Sequence, residues 1–305
     1  MKKITIALLV LVGLSSCVSK KNEAYLFTSF REPATDGLYL ASSEDGYYWK
    51  DLGGPYLKPE AGKSKIMRDP SIVKGKNDVY HMVWTTDWKG GDGFGYASSK
   101  DLIHWSEQQY IHVMKNEPEV VNVWAPEIFY DDEQDRYIII WASTIPFRFA
   151  KGVEEEKNNH RMYYVTTKDF KTFSDTKLFF EPGFSVIDCV LLKRAKNDYV
   201  LVLKDNTRPM RNIKVAFGKT PLGPFENISN PLTDYLSEGP TVVNLGKDWL
   251  IYYDNYGAKN YQAIRTADFK NFENVSSKIK LPEGHKHGTI TTISKKTLKA
   301  LIEKK

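Results

Sequence analysis

The sequence predicts an all-β fold, a five-bladed β-propeller closed by pairing of its N- and C-terminal strands, and three observations predict it. Polar residues standing just ahead of a short apolar strand recur about every fifty to sixty residues, in Asp69-Pro-Ser-Ile-Val, Trp124-Ala-Pro-Glu-Ile-Phe, Ile187-Asp188-Cys-Val-Leu-Leu, Glu238-Gly-Pro-Thr-Val-Val and His287-Gly-Thr-Ile-Thr. A turn residue followed four places later by a large aromatic recurs as well: Asp45/Trp49, Asp101/Trp105, Asp169/Phe173 and Asp268/Phe272, with Pro221/Phe225 as a degenerate copy. Between these marks lie alternating, β-prone segments bounded by Gly, Asn and Asp, while helical periodicity is almost absent before residue 295.

Each element follows in order. Residues 1–16 read as a leader: Lys2 and Lys3 form its basic end and residues 4–14 an apolar core too short to span a bilayer. Leu14-Ser15-Ser16-Cys17 resembles a bacterial lipobox, which makes Cys17 the expected lipidated first residue and 17–23 a tether. Residues 24–294 form the propeller. Unit one runs from Asp69 to about Met114, unit two from Pro126 to Phe180, unit three from Asp188 to Leu232 and unit four from Gly239 to Leu281. The fifth unit is split. Residues 287–294 supply its inner strand and 24–30, 37–43 and 47–52 the other three, so the ring closes without an open inner edge. Residues 295–305 are a short basic tail.

Bulk composition narrows the function classes. The formal charge is +5, and losing Lys2 and Lys3 with the leader leaves +3, too little to suggest nucleic acid. With Cys17 lipidated only Cys189 remains, so no internal disulfide is expected, and its place in an apolar strand makes it a small buried hydrophobe. No Gly-rich strand-to-helix turn for a nucleotide appears, and the Gly-His and Trp-Asp signatures of interaction propellers are missing.

Chemistry gathers where the five inner strands begin, because in a propeller those ends meet at one mouth of the central channel. Hydrolysing a glycoside with inversion takes one carboxylic acid for the leaving oxygen and one carboxylate to activate water. Asp69, Asp188 and Glu238 are the carboxylates in the right places; Glu127, two positions into its strand, reads as structural. Trp84 and Trp88, after the second strand of unit one, and Trp124, before the inner strand of unit two, are candidates for stacking on sugar. Trp49 and Trp105 read as core. Arg265 could bind sugar hydroxyls or pair with a carboxylate, and His287, at the fifth strand mouth, is a candidate for substrate contact. The longest insertion, 144–159, is expected on the rim.

On Arg68-Asp-Pro-Ser-Ile-Val, Trp124-Ala-Pro-Glu-Ile, Val186-Ile-Asp-Cys, Ser237-Glu-Gly-Pro-Thr-Val and His287-Gly-Thr-Ile, the chain resembles glycoside hydrolase family 43 over residues 24–294. The resemblance implies Asp69 as general base, Asp188 as the residue that tunes the acid's pKa, and Glu238 as general acid. Glu127 departs from it, since many relatives carry Asp there. It also implies action on arabinose-, xylose- or galactose-containing glycans, exo-acting in the first instance. An endo-acting arabinanase or xylanase, or a non-catalytic glycan-binding propeller, are the alternatives. The partner is an oligo- or polysaccharide, the expected state is a lipid-anchored monomer facing periplasm or cell surface, and no cofactor is required. In some arabinan-cleaving relatives the equivalent of His287 helps hold an axial ion, which raises a structural calcium here, although no acidic loop of calcium-binding spacing occurs.

Overall fold

The computed structural model describes residues 22–304, so the expected leader and Cys17 lie outside it. Among the described residues there are twenty strands and one α-helix. They are β1 (Glu23–Ser29), β2 (Tyr39–Ser43), β3 (Lys50–Gly53), β4 (Arg68–Lys74), β5 (Tyr80–Thr85), β6 (Gly93–Ser99), β7 (Gln109–His112), β8 (Trp124–Asp131), β9 (Arg136–Ser143), β10 (Arg161–Thr167) and β11 (Lys177–Phe180). After these come β12 (Val186–Ala195), β13 (Asp198–Asp205), β14 (Asn212–Gly218), β15 (Phe225–Glu226), β16 (Ser237–Asn244), β17 (Trp249–Asn255), β18 (Asn260–Thr266), β19 (Glu273–Asn274), β20 (Ile290–Ser294) and α1 (Lys295–Glu303). They form five four-stranded antiparallel sheets, four of them consecutive in sequence and the fifth ordered β20-β1-β2-β3. The expected closure is therefore present, with Glu23 to Phe27 paired to Ser294 to Ile290.

Strand periodicity explains how the blades pack. Successive side chains of a strand point to opposite faces, and here both faces are covered by neighbouring blades. Ile138, Ile140 and Ala142 of β9 face blade three with Leu191, Leu201 and Leu203. The intervening Ile139 and Trp141 face blade one with Val83, Phe94 and Tyr96. The same alternation fills the other three inter-blade layers. This is why the second strands read as unbroken apolar runs. Burying each such Ile or Leu contributes roughly 1.5–3 kcal/mol.

The repeated turn residues cap the connection from third to fourth strand. Ser43, Ser99, Thr167 and Thr266 each donate a hydroxyl to the Asp two places on. Asp45, Asp101, Asp169 and Asp268 then each accept two backbone N–H groups. The aromatic that follows drops between blades: Trp49 beside blade four, and Trp105, Phe173 and Phe272 against the layers of their own blades. Trp49 is core, as expected, and Trp105 packs, partly buried, against the core.

The basic tail is more than a tail. Ser294 accepts from the Thr297 N–H and starts α1, whose Leu298 and Leu301 are buried against Ala24 and Leu26. Among the described residues no helix is long and apolar enough to cross a membrane.

Candidate active site

Four of the five inner strands open with one kink. Pairing with the neighbouring strand skips between Arg68 and Ser71, Trp124 and Glu127, Ile187 and Val190, and Glu238 and Thr241. At each skip one residue has positive φ: Asp69 (51°), Ala125 (46°), Asp188 (51°) and Gly239 (55°). A bulge leaves a residue out of the ladder and re-aims its side chain, and Asp tolerates the left-handed region better than most residues. The prolines that follow three of these, Pro70, Pro126 and Pro240, fit because a donor is not needed at a bulge. Asp69 and Asp188 are thus turned towards the axis at equivalent places, and Glu238 lies one residue before its bulge.

The fifth strand contributes His287, which ties the carboxylates together. Its Nδ1 lies 3.2 Å from Asp69 Oδ1 and its Nε2 lies 3.2 Å from Glu238 Oε1, with Asp254 Oδ2 at 3.7 Å. Gly239 makes the space: a Cβ there would lie 2.5 Å from the imidazole ring. On its other oxygen Glu238 receives Lys204 Nζ at 2.8 Å. Lys204 comes from the end of β13 and its side chain is 2% exposed. Asp69 also accepts from the Thr85 hydroxyl at 3.0 Å, and Asp188 accepts from the Gly239 N–H at 3.1 Å. Asp254 is buried and paired with Lys286 at 2.8 Å.

Protonation follows from these contacts. Burial pushes the His287 pKa down, but Glu238 and Asp69 outweigh it and hold it well above the usual imidazole value. Burial pushes Asp69 up, yet the hydrogen bond and charge of His287 leave it below its usual value. Glu238 is likewise raised by burial and lowered further by His287 and Lys204, ending far below the carboxylate range. Asp188 alone of the three ends above its usual value, burial outweighing Lys204 and His287. The sequence expectation was a protonated Glu238 sustained by Asp188. In this arrangement the charge of His287, and after it that of Lys204, favours an ionised Glu238, while Glu238 and Asp69 favour a protonated His287.

A cavity of about 220 Å³ opens over this group, lined by Asp69, Asp188, Glu238, Lys204 and His287 together with side chains from surrounding loops. One wall is aromatic. Trp88 and Trp124 stack at 4.8 Å, Trp124 stacks on His160 at 5.1 Å, and the Arg68 guanidinium covers Trp88 at 4.6 Å. Below it, a void of about 30 Å³ lies among all five inner strands. There Glu127 accepts from Ser71 Oγ at 2.6 Å and Thr289 Oγ1 at 3.3 Å, and burial raises it to about 7.

A calcium ion does not suit these donors. Glu238, Asp254 and His287 bring ligand atoms within 4.8 Å of one another, but calcium takes six to eight oxygens. Here one of the three donors is an imidazole nitrogen, and Lys204 and Lys286 already pair with Glu238 and Asp254.

A family model described as "Probable glycosyl hydrolase domain", related to glycoside hydrolase family 43, matches residues 20–299. The chain belongs to this family. An α-L-arabinofuranosidase of Bifidobacterium longum subsp. longum is 21% identical over 272 residues, covering 73% of this chain and 25% of that protein. The chain thus spans about a quarter of that relative's length. Among solved structures, a family 117 glycoside hydrolase of Zobellia galactanivorans superposes with a TM-score of 0.59 at 17% identity, covering 86% of this chain and 77% of that one. An α-L-arabinofuranosidase of Clostridium thermocellum superposes with a TM-score of 0.58 at 14% identity, covering 80% and 86%. At such identities these likenesses establish the fold.

Two sequence candidates fall elsewhere. Trp84 is 0% exposed in the layer between the closing blade and blade one, flat against Gly95, where a Cβ would lie 2.1 Å from its ring. Strand alternation decides this: Thr85 faces the mouth, so Trp84 faces away. Trp88, 49% exposed, takes the place on the wall. Arg265 stands near the far end of β18, paired with Asp248 in the turn away from the mouth, which is the structural role its sequence left open. Lys204, Asn206 and Arg211 were missed. Lys204 had one signal, a lysine closing the apolar run Val200-Leu-Val-Leu.

Proposed function

We propose that this chain is an inverting, exo-acting glycosidase that releases arabinose-, xylose- or galactose-type residues from plant-type polysaccharides or their oligosaccharides. The observation that carries the reading is one imidazole wedged between Asp69 and Glu238, 3.2 Å from each. The wedge favours the spacing of inverting pairs, about 6.5–9.5 Å, over the ~5–5.5 Å of a nucleophile pair. The curated relative named an α-L-arabinofuranosidase supports arabinose first. A cavity of about 220 Å³ with an aromatic wall suits one terminal sugar better than a long chain.

In this reading ionised Asp69 takes a proton from water as that water attacks the anomeric carbon. The glycosidic C–O bond breaks, and the leaving oxygen takes a proton through Glu238, which draws it from His287 Nε2. His287 keeps its Nδ1 proton throughout; once the product leaves, Asp69 releases the proton it gained to solvent and Glu238 relays one from solvent back to His287 Nε2, so the protein ends as it began. Asp188 orients this group through the bulge beside Glu238, its carboxylate held by the Gly239 N–H. Lys204 keeps Glu238 aimed at the pocket.

The test is a panel of aryl α-L-arabinofuranoside, β-xyloside and β-galactoside with linear arabinan, xylan and galactan. Release of single sugars from chain ends supports the reading; internal cuts would establish the endo-acting alternative, and no hydrolysis at all would overturn it. Lipid anchoring through Cys17 at a bacterial membrane belongs to the same proposal, supported by the Leu-Ser-Ser-Cys sequence. Cys17→Ser should shift the protein out of the membrane fraction, and an unchanged fraction would contradict it.

A further inference from the structure

Almost every cation around the cavity has its counter-ion. Arg68 is paired with Glu32 at 2.8 Å, Lys204 with Glu238, and His287 with Asp69 and Glu238. Arg208, on the same loop as Arg211, is paired with Glu154 and Glu155. Arg211 is the exception among the described cavity-lining cations: it lines the cavity, no carboxylate reaches it, and its buried Nε has no hydrogen-bond partner. Its backbone is pinned beside the proton donor, since its carbonyl accepts from the Ser237 N–H, one residue before Glu238.

A second group points the same way. Asn206 is 4% exposed and lines the cavity. Its backbone N–H donates to Ser185, yet its side-chain amide has no protein partner among the described residues. The buried Nε of Arg211, left unpaired in the pocket, carries the cost of an unmet hydrogen bond unless something enters to meet it, and the Asn206 amide lining the same pocket is open to a ligand. The planar fork of arginine fits the two oxygens of a carboxylate, and the amide adds a further donor.

We infer that Arg211 and Asn206 form a subsite for an anionic sugar, the carboxylate of a uronic acid next to the bond being cleaved. This rests on the glycosidase reading and deepens it. Arg211 stands on the side of Glu238, which serves the leaving oxygen, so the uronic acid is the residue from which the terminal sugar is removed. Neutral glycans leave the guanidinium unmet, and acidic glycans are the preferred substrates. Arg211 acts on specificity and takes no part in bond breaking.

Binding of free galacturonic and glucuronic acids tests this without any hydrolysis, by calorimetry beside their methyl esters, which keep shape and lose charge. Charge-assisted pairing of this kind changes affinity by about tenfold to a hundredfold. At least one acid should therefore bind at least tenfold more tightly than its ester, and Arg211→Gln should abolish that difference. Arg211→Lys, which keeps the charge and loses the fork, should retain part of it, and unchanged melting temperatures show that both variants fold. Equal affinity of acids and esters in the wild-type protein would overturn the subsite, as would a preference that survives Arg211→Gln. Sodium sulfate binding through Arg211 as tightly as either uronate would overturn the carboxylate assignment in favour of a sulfate ester. A failure of the glycosidase reading shows separately, as absence of hydrolysis on the substrate panel.

Discussion

Gly239→Ala adds one methyl group and removes no functional group, yet it should disable the site. Two costs follow from its geometry. Gly239 has φ of 55°, where a side chain costs about 1–2 kcal/mol. The new Cβ would lie 2.5 Å from His287 Cγ and Cδ2 and 2.9 Å from Nδ1. Non-bonded carbons settle about 3.5–4.0 Å apart, so the ring must retreat by about 1 Å. Its contacts with Asp69 and Glu238 are already 3.2 Å, near the outer limit of about 3.2 Å for good N–H···O bonds, so the retreat breaks at least one. Misplacement of that size costs about 10²-fold in rate. The assay is kcat on an alkyl or sugar leaving group and on an activated aryl leaving group, with a thermal melt alongside. We expect about a hundredfold loss on the poor leaving group, a smaller loss on the activated one, and a fall in Tm of about 2–8 °C. A kcat equal to that of the wild type on the poor leaving group would refute the role given to His287.

Lys204→Met keeps the length of the side chain and removes its charge. Losing an opposite charge at this range raises a carboxyl pKa by about 1–3 units. Removing a cation lifts Glu238 and His287 together, so the alkaline limb of kcat/KM should move to higher pH; a downward or absent shift would contradict the pairing. The second expectation concerns stability. Burial depresses His81 and His160 from 6.5 to about 4, so the native state favours their neutral forms. Their stabilisation is fully present above pH 6.5 and is lost as pH falls from there towards 4, each shift being worth at most about 3 kcal/mol. His81, which stacks on Phe170 at 4.3 Å, can be replaced by Phe, and the fall of Tm over that pH range should flatten. An unchanged slope would show that His81 does not carry it.

The fold was legible because its marks are local. The Asp-capped turns repeat in four blades and the polar residues at inner-strand starts in all five, and each is read without knowing its neighbours. The closing blade was legible because the strands do not otherwise fill five sheets. Asp69, Asp188, Glu238 and His287 were legible for the same reason, since each stands at an inner-strand start. Lys204, Asn206 and Arg211 were not, because they come from the far end of a second strand and the loop after it. Only closure of the ring sets them over residues from other blades. Trp84 was mistaken because the phase of β5 depends on Thr85, whose hydroxyl donates to Asp69 and accepts from the Ala125 N–H. Nothing in the local sequence states that phase. The lowered pKa of Glu238 was legible only in part: His287, the first cause of the lowering, stands in the repeat, and Lys204, the next, does not.

Proton NMR of the first sugar released by the wild-type protein bears most directly on the chemistry assigned to Asp69, His287 and Glu238. With an aryl α-L-arabinofuranoside, direct attack by the water that Asp69 activates should yield the β-anomer first, before mutarotation. Asp69→Ala should abolish that signal with leaving groups of every kind. An initial α-anomer would mean a covalent intermediate, and would contradict the two-carboxylate, one-histidine site described above.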